Sequence, residues 1–352
     1  MSSSSVLPQP TAGPGPHGAD AGREQGAQTR AAGRVRLALA GLCVAVLLAA
    51  TLEVVLDGAL GHSALTPGSP GISGWLVGIG ERLGFRVFLI ALLSYTVAYG
   101  LLLALARRSE GGGLAADRRS RTWAIALVGA LNVIVLAGPV LLSTDVFSYI
   151  AYARMGVLHG VDPYLHGPIA INGDGIYRYV GNDWRKVATA YGPLYTLISY
   201  PLGLLGLKGA VWGAKLEALA ASAGTLVLTW RCARMRGFDP AVALVVVGAN
   251  PLYVLYGLGG AHNDLIMTFF MMAAVALVLS EERPTRHRTP AAGRLRHPLG
   301  TDRDALAGAA VVAGALVKAT GAVLLPFMIL SRRRVSALWG ALAALVAVAV
   351  VS

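Results

Sequence analysis

The fold of this chain is organised around the stretch Ser143–Tyr149, Ser-Thr-Asp-Val-Phe-Ser-Tyr. This stretch follows an apolar run, carries the acidic residue Asp145, and opens a polar loop that extends to about Tyr191. The chain on both sides of the loop is apolar enough to lie in a membrane. A carboxylate just outside a bilayer, beneath a loop rich in Tyr, Trp and Pro, indicates chemistry on a lipid-linked substrate.

The composition predicts an all-α polytopic membrane protein. Hydrophobic residues make up 55% of the 352 residues and charged residues only 14%, and the mean hydropathy is +0.61. A soluble domain usually carries about 25% charged residues, and several apolar runs here reach the roughly 20 residues that span a bilayer. The two cysteines, Cys43 and Cys232, fall in apolar segments and indicate neither a disulfide framework nor a metal site.

The basic balance is best explained by membrane topology. The net charge is +12, from 30 Lys and Arg against 18 Asp and Glu. Nucleic-acid binding is one interpretation of so basic a chain. Lys and Arg collect in short cytoplasmic loops of membrane proteins, however, and the charges here follow that distribution. We therefore expect no nucleic-acid partner.

The apolar runs divide the chain into a tail and a membrane domain. Residues 1–33 are rich in Ser, Pro, Gly and Gln and predict a disordered cytoplasmic tail, and 34–352 form the transmembrane domain. The chain stops at Ser352 inside an apolar run, which fits either a final helix that ends there or a truncated chain. The predicted spans are 35–56, 85–106, 123–142, 211–230, 241–258 and 265–279, then an apolar run at 306–330 and a further span beginning near Ser336.

Two apolar segments are not predicted to be ordinary spans. Residues 191–207 contain Gly192-Pro193 and Pro201 and would, as a span, place the arginine cluster at 231–236 outside; they predict a helix at the outer interface. Residues 306–330 have arginines beyond both ends, so we predict two half-helices broken near Lys318. In this topology the loop 143–210 lies outside and the loop 281–303 inside.

Two charged side chains are the leading candidates for catalysis. Asp145 could act as a general base, as an ion ligand or as the polar group at a helix end, where Ser143 and Thr144 are also typical N-cap residues. Lys318 could contact a phosphate or substrate at the predicted helix break, or could simply extend its ammonium group toward water.

Other polar and aromatic residues are candidates for substrate binding. His262, Asn263 and Asp264 could contact a sugar or phosphate on the outer face, or form a simple turn between two spans. Arg185 is either a cation for a phosphate or a solvated loop residue, and Trp184 and Tyr191 either stack on sugar rings or lie at the interface. The residue spacing indicates no metal site and no cofactor, although Asp145, Asp162 and Asp264 could still meet in space around one divalent ion. The sequence has no P-loop for a nucleotide-sugar donor.

Several of these motifs resemble one family when they are taken in order. The first large outer loop of actinobacterial polyprenol-phosphate-mannose-dependent α-1,6-mannosyltransferases is similar to the segments Asp-Val-Phe-Ser-Tyr at 145–149, Gly-Val-Asp-Pro-Tyr at 160–164, Trp184, and Tyr-Gly-Pro-Leu-Tyr at 191–195. Later blocks of that family resemble 249–252 with 259–264, and 317–318 with 325–327. These proteins are membrane glycosyltransferases of the GT-C type.

The resemblance implies a fold, a reaction and a location. It implies a GT-C-like helix bundle with a large outer loop carrying interfacial helices. The implied reaction moves a mannosyl residue from polyprenyl-phosphate-mannose to a lipid-linked mannan or glycolipid acceptor among the membrane lipids, on the outer, periplasmic face of the plasma membrane. An α-1,6 linkage forms, and Asp145 is the implied base. Cell-envelope lipomannan synthesis is the implied setting.

Two other classes of protein compete with this interpretation. A lipid or sugar transporter or flippase would contain intramembrane charges and paired repeats around a midplane site. Lys318 is the one clear midplane charge, and no convincing repeat is seen. A non-catalytic scaffold would not need so dense an outer loop.

Overall fold

The computed structural model describes residues 16–59, 84–107, 118–280, 302–332 and the isolated positions 342, 345 and 346. These residues form an all-α membrane protein, which confirms the predicted fold class. The α-helices are α1 (Pro16–Ala59), α2 (Gly84–Arg107), α3 (Arg118–Ala137), α4 (Asp145–His159), α5 (Pro193–Gly203), α6 (Leu207–Arg236), α7 (Pro240–Gly248), α8 (Asp264–Ser280), α9 (Asp302–Val317) and α10 (Leu324–Arg332).

In the described part of the chain, four helices are long and apolar enough to cross a membrane, namely α1, α2, α3 and α6. A fifth crossing is formed if α7 is joined to the π-helix Leu252–Leu258, which continues it at an angle of 48°. The bend lies at Pro251, which supplies no N–H for a helical hydrogen bond. The predicted span 241–258 is therefore one bent element, and α8 is a shorter apolar helix of 17 residues.

The N-terminal part of the chain differs from the expected disordered tail. Helix α1 begins at Pro16, so residues 16–33 are helical, and residues 1–15 lie outside the described part. Proline at the first position suits a helix start, and the Ala, Arg, Gln and Glu residues that follow are good helix formers. The predicted span near Ser336 and most of the loop 281–303 also lie outside the described residues.

Helix α3 ends earlier than its apolar run. The predicted span continued to residue 142, but the helix stops at Ala137 because Gly138 and Pro139 follow it. The segment 138–144 then leads to α4 without helical structure, and Leu142 in it has a φ of 62°.

The loop after Asp145 is less polar than expected. Its first part is α4, in which every residue from Val146 to Ala153 is buried, so this part of the helix is surrounded on all sides. Short 3-10 turns follow, at Pro168–Ile171, Tyr177–Tyr179 and Asn182–Trp184. Helix α5 packs on α4 and has only 11 residues, about 16 Å at 1.5 Å per residue, which is too short for a straight span. Its predicted position along the membrane surface remains a prediction.

A cluster of charged side chains, Arg154, His159 and Asp174, links α4 to the loop that follows it. Arg154 Nε donates to both Asp174 carboxylate oxygens at 3.0 Å, and His159 Nε2 lies 2.8 Å from Asp174 Oδ2. Burial of Asp174 opposes its ionisation, but hydrogen bonds from the Ile176 N–H, His159 and Arg154 outweigh that effect and lower the Asp174 pKa. The carboxylate stays charged and ties α4 to the turns that follow it.

The predicted break in the last apolar run is confirmed. Helix α9 ends at Val317, Lys318 is extended, and a 3-10 turn at Ala319–Val323 leads into α10. Gly321 lies against the backbone of Gly314. Met328 is buried with Val311 and Ala307. The second half-helix therefore folds back along the first.

Candidate active site

Four separate segments meet at one end of the helix bundle. Leu141 N donates to Gly259 O at 2.8 Å, which joins the end of α3 to the turn before α8. Gly192 N donates to Val317 O at 3.0 Å, which joins the start of α5 to the end of α9. A Cβ on Gly192 would lie 2.0 Å from Leu316 O, so glycine permits this close approach. The meeting point brings together residues far apart in the sequence.

Asp145 lies at the centre of this meeting point as the first residue of α4. Its backbone N–H donates to Ser143 Oγ at 3.1 Å, and Thr144 occupies the N-cap position without a side-chain capping bond. The Asp145 carboxylate is 25% exposed. The carboxylate is thus accessible to a ligand, and the helix N-terminus favours its negative charge.

His262 lies directly behind Asp145 and is 1% exposed. Its Nδ1 is 3.6 Å from Asp145 Oδ2 and 3.9 Å from Asp264 Oδ2. The ring stacks on Tyr256 with centroids 4.1 Å apart. Burial lowers the His262 pKa, although the two carboxylates oppose this, and Lys318 adds to the lowering. The His262 imidazole is therefore neutral near neutral pH, and it lies beside the Asp145 carboxylate.

Asp264 and Lys318 form the second charged pair of the site. Lys318 Nζ donates to Asp264 Oδ1 at 2.9 Å and to Oδ2 at 2.8 Å. The Lys318 side chain is 33% exposed and that of Asp264 36% exposed. The helix break thus delivers an accessible ammonium group to the same cluster as Asp145.

A tyrosine cluster forms one wall of the site. Tyr149 OH donates to Asn263 Oδ1 at 3.4 Å and lies 3.4 Å from His262 Nδ1. Its ring meets Tyr191 edge-on with centroids 4.8 Å apart, and Tyr195 with centroids 5.1 Å apart. Burial raises the Tyr149 pKa well above its usual value. The hydroxyl stays protonated and can donate.

Three buried polar atoms around the site have no hydrogen-bond partner among the described residues. They are Ser148 Oγ, His262 Nε2 and Asn263 Nδ2. Buried polar groups are nearly always satisfied, so such atoms call for a water or a ligand atom. Their grouping next to Asp145 is typical of a functional site rather than of a packed core.

Two residues with unusual backbone conformations lie next to the site. Leu142 and Ala261 have φ of 62° and 51°, and they are the non-glycine residues with positive φ in the described part of the chain. Each immediately precedes a site segment, Ser143–Asp145 in one case and His262–Asp264 in the other. Conformations of this kind cost of order 1–3 kcal/mol and concentrate at functional sites.

The remaining sequence candidates lie in the loop between α4 and α5. Trp184 is half-buried against the core, in a turn whose Gly181 packs on Thr144. Arg185 Nε donates to Val180 O at 3.2 Å, and its guanidinium lies 4.8 Å from the centre of the Tyr177 ring. The structure therefore joins Asp145, His262, Asn263, Asp264, Lys318 and Tyr191, and gives Trp184 and Arg185 contacts within the loop.

Sequence patterns did not single out Tyr149, Tyr256 and Lys215. Tyr149 belongs to the quoted motif, but its role depends on contacts with residues more than 100 positions away. Lys215 lies within an apolar run, away from the arginine-rich loops, and that position is the available signal. Among residues 16–59, 84–107, 118–280 and 302–332, no three His, Cys, Asp or Glu side chains are arranged to hold a metal ion.

Fold and site together define a polytopic membrane protein with a carboxylate and an ammonium group at one end of a helix bundle. The chain belongs to the family described as alpha-(1->6)-mannopyranosyltransferase, N-terminal domain, whose family model matches residues 38–334. This match confirms the family resemblance noted from the motifs.

Curated relatives carry the same family name. Alpha-(1->6)-mannopyranosyltransferase A of Corynebacterium glutamicum is 29% identical over 200 residues, 56% of this chain and 36% of the relative. Its namesake in Mycobacterium tuberculosis is 28% identical over 255 residues, 70% of this chain and 44% of the relative. A probable member from Mycolicibacterium smegmatis is 31% identical over 193 residues, 53% of this chain and 34% of the relative.

The chain thus spans less than half the length of these relatives. No solved structure matches it.

Proposed function

We propose that this protein transfers a mannosyl residue from polyprenyl-phosphate-mannose to a lipid-linked mannan or glycolipid acceptor, forming an α-1,6 linkage. The supporting observation is the placement of an accessible carboxylate, Asp145, and an accessible ammonium, Lys318, in one cluster bridged by His262 and Asp264. Transfer from a phosphate-linked sugar needs these two groups, a base for the acceptor hydroxyl and a cation for the leaving phosphate.

Asp145 is the proposed general base because it is the exposed member of the carboxylate–imidazole pair. His262, at 1% exposure, cannot reach a substrate hydroxyl, whereas Asp145 is 25% exposed. The acceptor hydroxyl gives its proton to Asp145 as its oxygen forms a bond to the anomeric carbon. The bond from that carbon to the phosphate oxygen breaks, and the phosphate leaves with the electron pair. One displacement on a β-linked donor gives an α-linked product.

Lys318 is the proposed contact for the donor phosphate. Its ammonium carries three N–H donors, and the two oxygens of Asp264 occupy two of them. The third is available for a phosphate oxygen, and Asp264 holds the side chain in place. A fixed cation stabilises the negative charge of the leaving group without reorganisation during the reaction.

Four further residues are proposed to bind the substrates. Tyr191 and Asn263 lie next to the site, since both contact Tyr149. Trp184 and Arg185 belong to the outer loop, where an indole ring suits the face of a sugar and a guanidinium suits a phosphate. These two are proposed to contact the parts of the substrate farther from the anomeric carbon.

The site is proposed to face the outside of the plasma membrane. The arginines at the end of α2, at the start of α3 and at the end of α6 lie at the helix ends away from the Asp145 cluster. Positive residues favour the cytoplasmic side. With the native cysteines replaced, a membrane-impermeant thiol reagent should label Asn172→Cys in intact cells and Phe238→Cys only after permeabilisation. The reverse pattern would invert the topology.

The reaction is tested with purified protein and two donors that carry labelled mannose. Label should enter the lipid-linked acceptor from polyprenyl-phosphate-mannose and not from a nucleotide-linked mannose, because the sequence lacks a nucleotide-phosphate loop. Linkage analysis should locate the new bond at the acceptor 6-position. Transfer from the nucleotide donor alone would contradict the proposal, as would movement of intact lipid without transfer.

A further inference from the structure

Lys215 is a buried basic residue on a helix that is long and apolar enough to cross a membrane. It lies on α6 and is 1% exposed. Burying an ammonium group is costly unless hydrogen-bond acceptors replace its water. Here Nζ donates to Leu136 O at 2.6 Å and also to Gly138 O, and it lies 4.5 Å from the centre of the Trp212 ring.

Both of the accepting carbonyls lie where α3 ends. The last carbonyls of a helix have no intrahelical N–H partner, and Pro139 removes one more donor. A cation at a helix C-terminus is favourable because it meets these carbonyls and the negative end of the helix dipole. The Lys215 ammonium therefore satisfies two carbonyls at the end of α3 and links α6 to the point where the chain leaves α3.

The segment that leaves α3 leads directly to Asp145. Gly138 lies against Val55 of α1, where a Cβ would come within 2.5 Å of Val55 Cγ1. Three residues later, Leu141 N donates to Gly259 O at 2.8 Å. Lys215 holds the start of this segment, and Gly259 holds its middle.

We propose that Lys215 is a positioning residue for Asp145. The proposal rests on the proposed function, in which Asp145 is the base. Without the Lys215 ammonium, the end of α3 is free to shift, and the Asp145 carboxylate moves relative to His262, now 3.6 Å away. A displacement of about 1 Å in a reacting group can cost about 100-fold in rate.

The first test compares two lysine substitutions on the same helix. Lys215→Met keeps the aliphatic stem and removes the donors, and Lys208→Met changes an exposed lysine of α6. We expect Lys215→Met to lower kcat for transfer about 10- to 100-fold with little change in the donor KM. Lys208→Met should behave as wild type. Equal kcat values for the two variants would overturn the proposal.

A double-mutant cycle with Asp145→Asn separates positioning from general loss of structure. If Lys215 acts through Asp145, adding Lys215→Met to Asp145→Asn should cause no further loss of the residual rate. Equal losses in both backgrounds would overturn the proposal. If Asp145→Asn turns over like wild type, the proposed base itself fails, whereas a loss in Asp145→Asn beside a normal Lys215→Met removes the positioning role alone.

Should Lys215→Met not accumulate, Lys215→Gln replaces it in the same cycle, since the amide still donates to a carbonyl. Its kcat should lie between those of wild type and Asp145→Asn, again without further loss in the double variant. Failure of both variants to fold would assign Lys215 to folding rather than to positioning.

Discussion

Replacing Asp145 by Asn should lower the rate of mannosyl transfer by about 10²–10⁴-fold, the usual effect of removing a general base. Asn keeps the size of the side chain and most of its hydrogen bonds, but it cannot accept the acceptor proton. Donor binding and thermal stability should change little, because Thr144 rather than Asp145 occupies the N-cap position of α4. The measurement is kcat, donor KM and melting temperature of the purified variant.

Asp162 supplies a matched control for this substitution. It lies in the loop that follows α4, and its Oδ1 accepts a hydrogen bond from Tyr164 N at 2.7 Å as part of a turn. Asp162→Asn should therefore affect the loop rather than the chemistry and retain most of the kcat. Near-wild-type turnover in Asp145→Asn would remove that residue from the base role.

Replacing Lys318 by Gln should lower kcat by about 10²–10³-fold, the loss typical of removing one group that stabilises developing negative charge. The substitution also leaves the Asp264 carboxylate without the two hydrogen bonds that Lys318 gives it. A loss in the single variant therefore has two explanations, phosphate binding or disruption of the ion pair.

The double variant Lys318→Gln with Asp264→Asn distinguishes them. It replaces the ion pair by two neutral amides that can hydrogen-bond to each other, so the local structure keeps a satisfied contact. If Lys318 binds the phosphate, the double variant should remain as slow as Lys318→Gln. Recovery to near the rate of Asp264→Asn alone would show that Lys318 acts only as the partner of Asp264.

Local sequence signals predicted the parts of this fold that depend on local physics. Apolar length located the spans, and arginines at both ends of one run predicted the break at Lys318, which the structure has at that residue. The same signals erred where turn residues overrode hydropathy: Gly138 and Pro139 end α3 at Ala137, five residues before the predicted end of the apolar run at 142. Hydropathy reports the preference of side chains for apolar surroundings. The end of a helix depends instead on backbone conformation and on the hydrogen bonds that residues such as Gly and Pro allow.

The arrangement of the site needed long-range information. The sequence offers His262 either as a substrate contact or as part of a turn. Its 1% exposure and its position behind Asp145 follow from the packing of α4 against the turn before α8. The ion pair of Asp264 with Lys318 joins residues 54 positions apart. No periodicity or spacing in one sequence encodes such pairs, because they arise only when helices pack.

The most direct measurement is a structure of the protein with a non-reactive phosphonate analogue of polyprenyl-phosphate-mannose. The account predicts a phosphonate oxygen within about 3.2 Å of Lys318 Nζ, with the anomeric carbon between that group and Asp145. The helix bundle also has an apolar cavity of about 460 Å³ near its arginine-rich end, bordered by Leu37, Trp123 and Val245. A mannosyl head group bound in that cavity, or anywhere out of reach of both Lys318 and Asp145, would contradict the account.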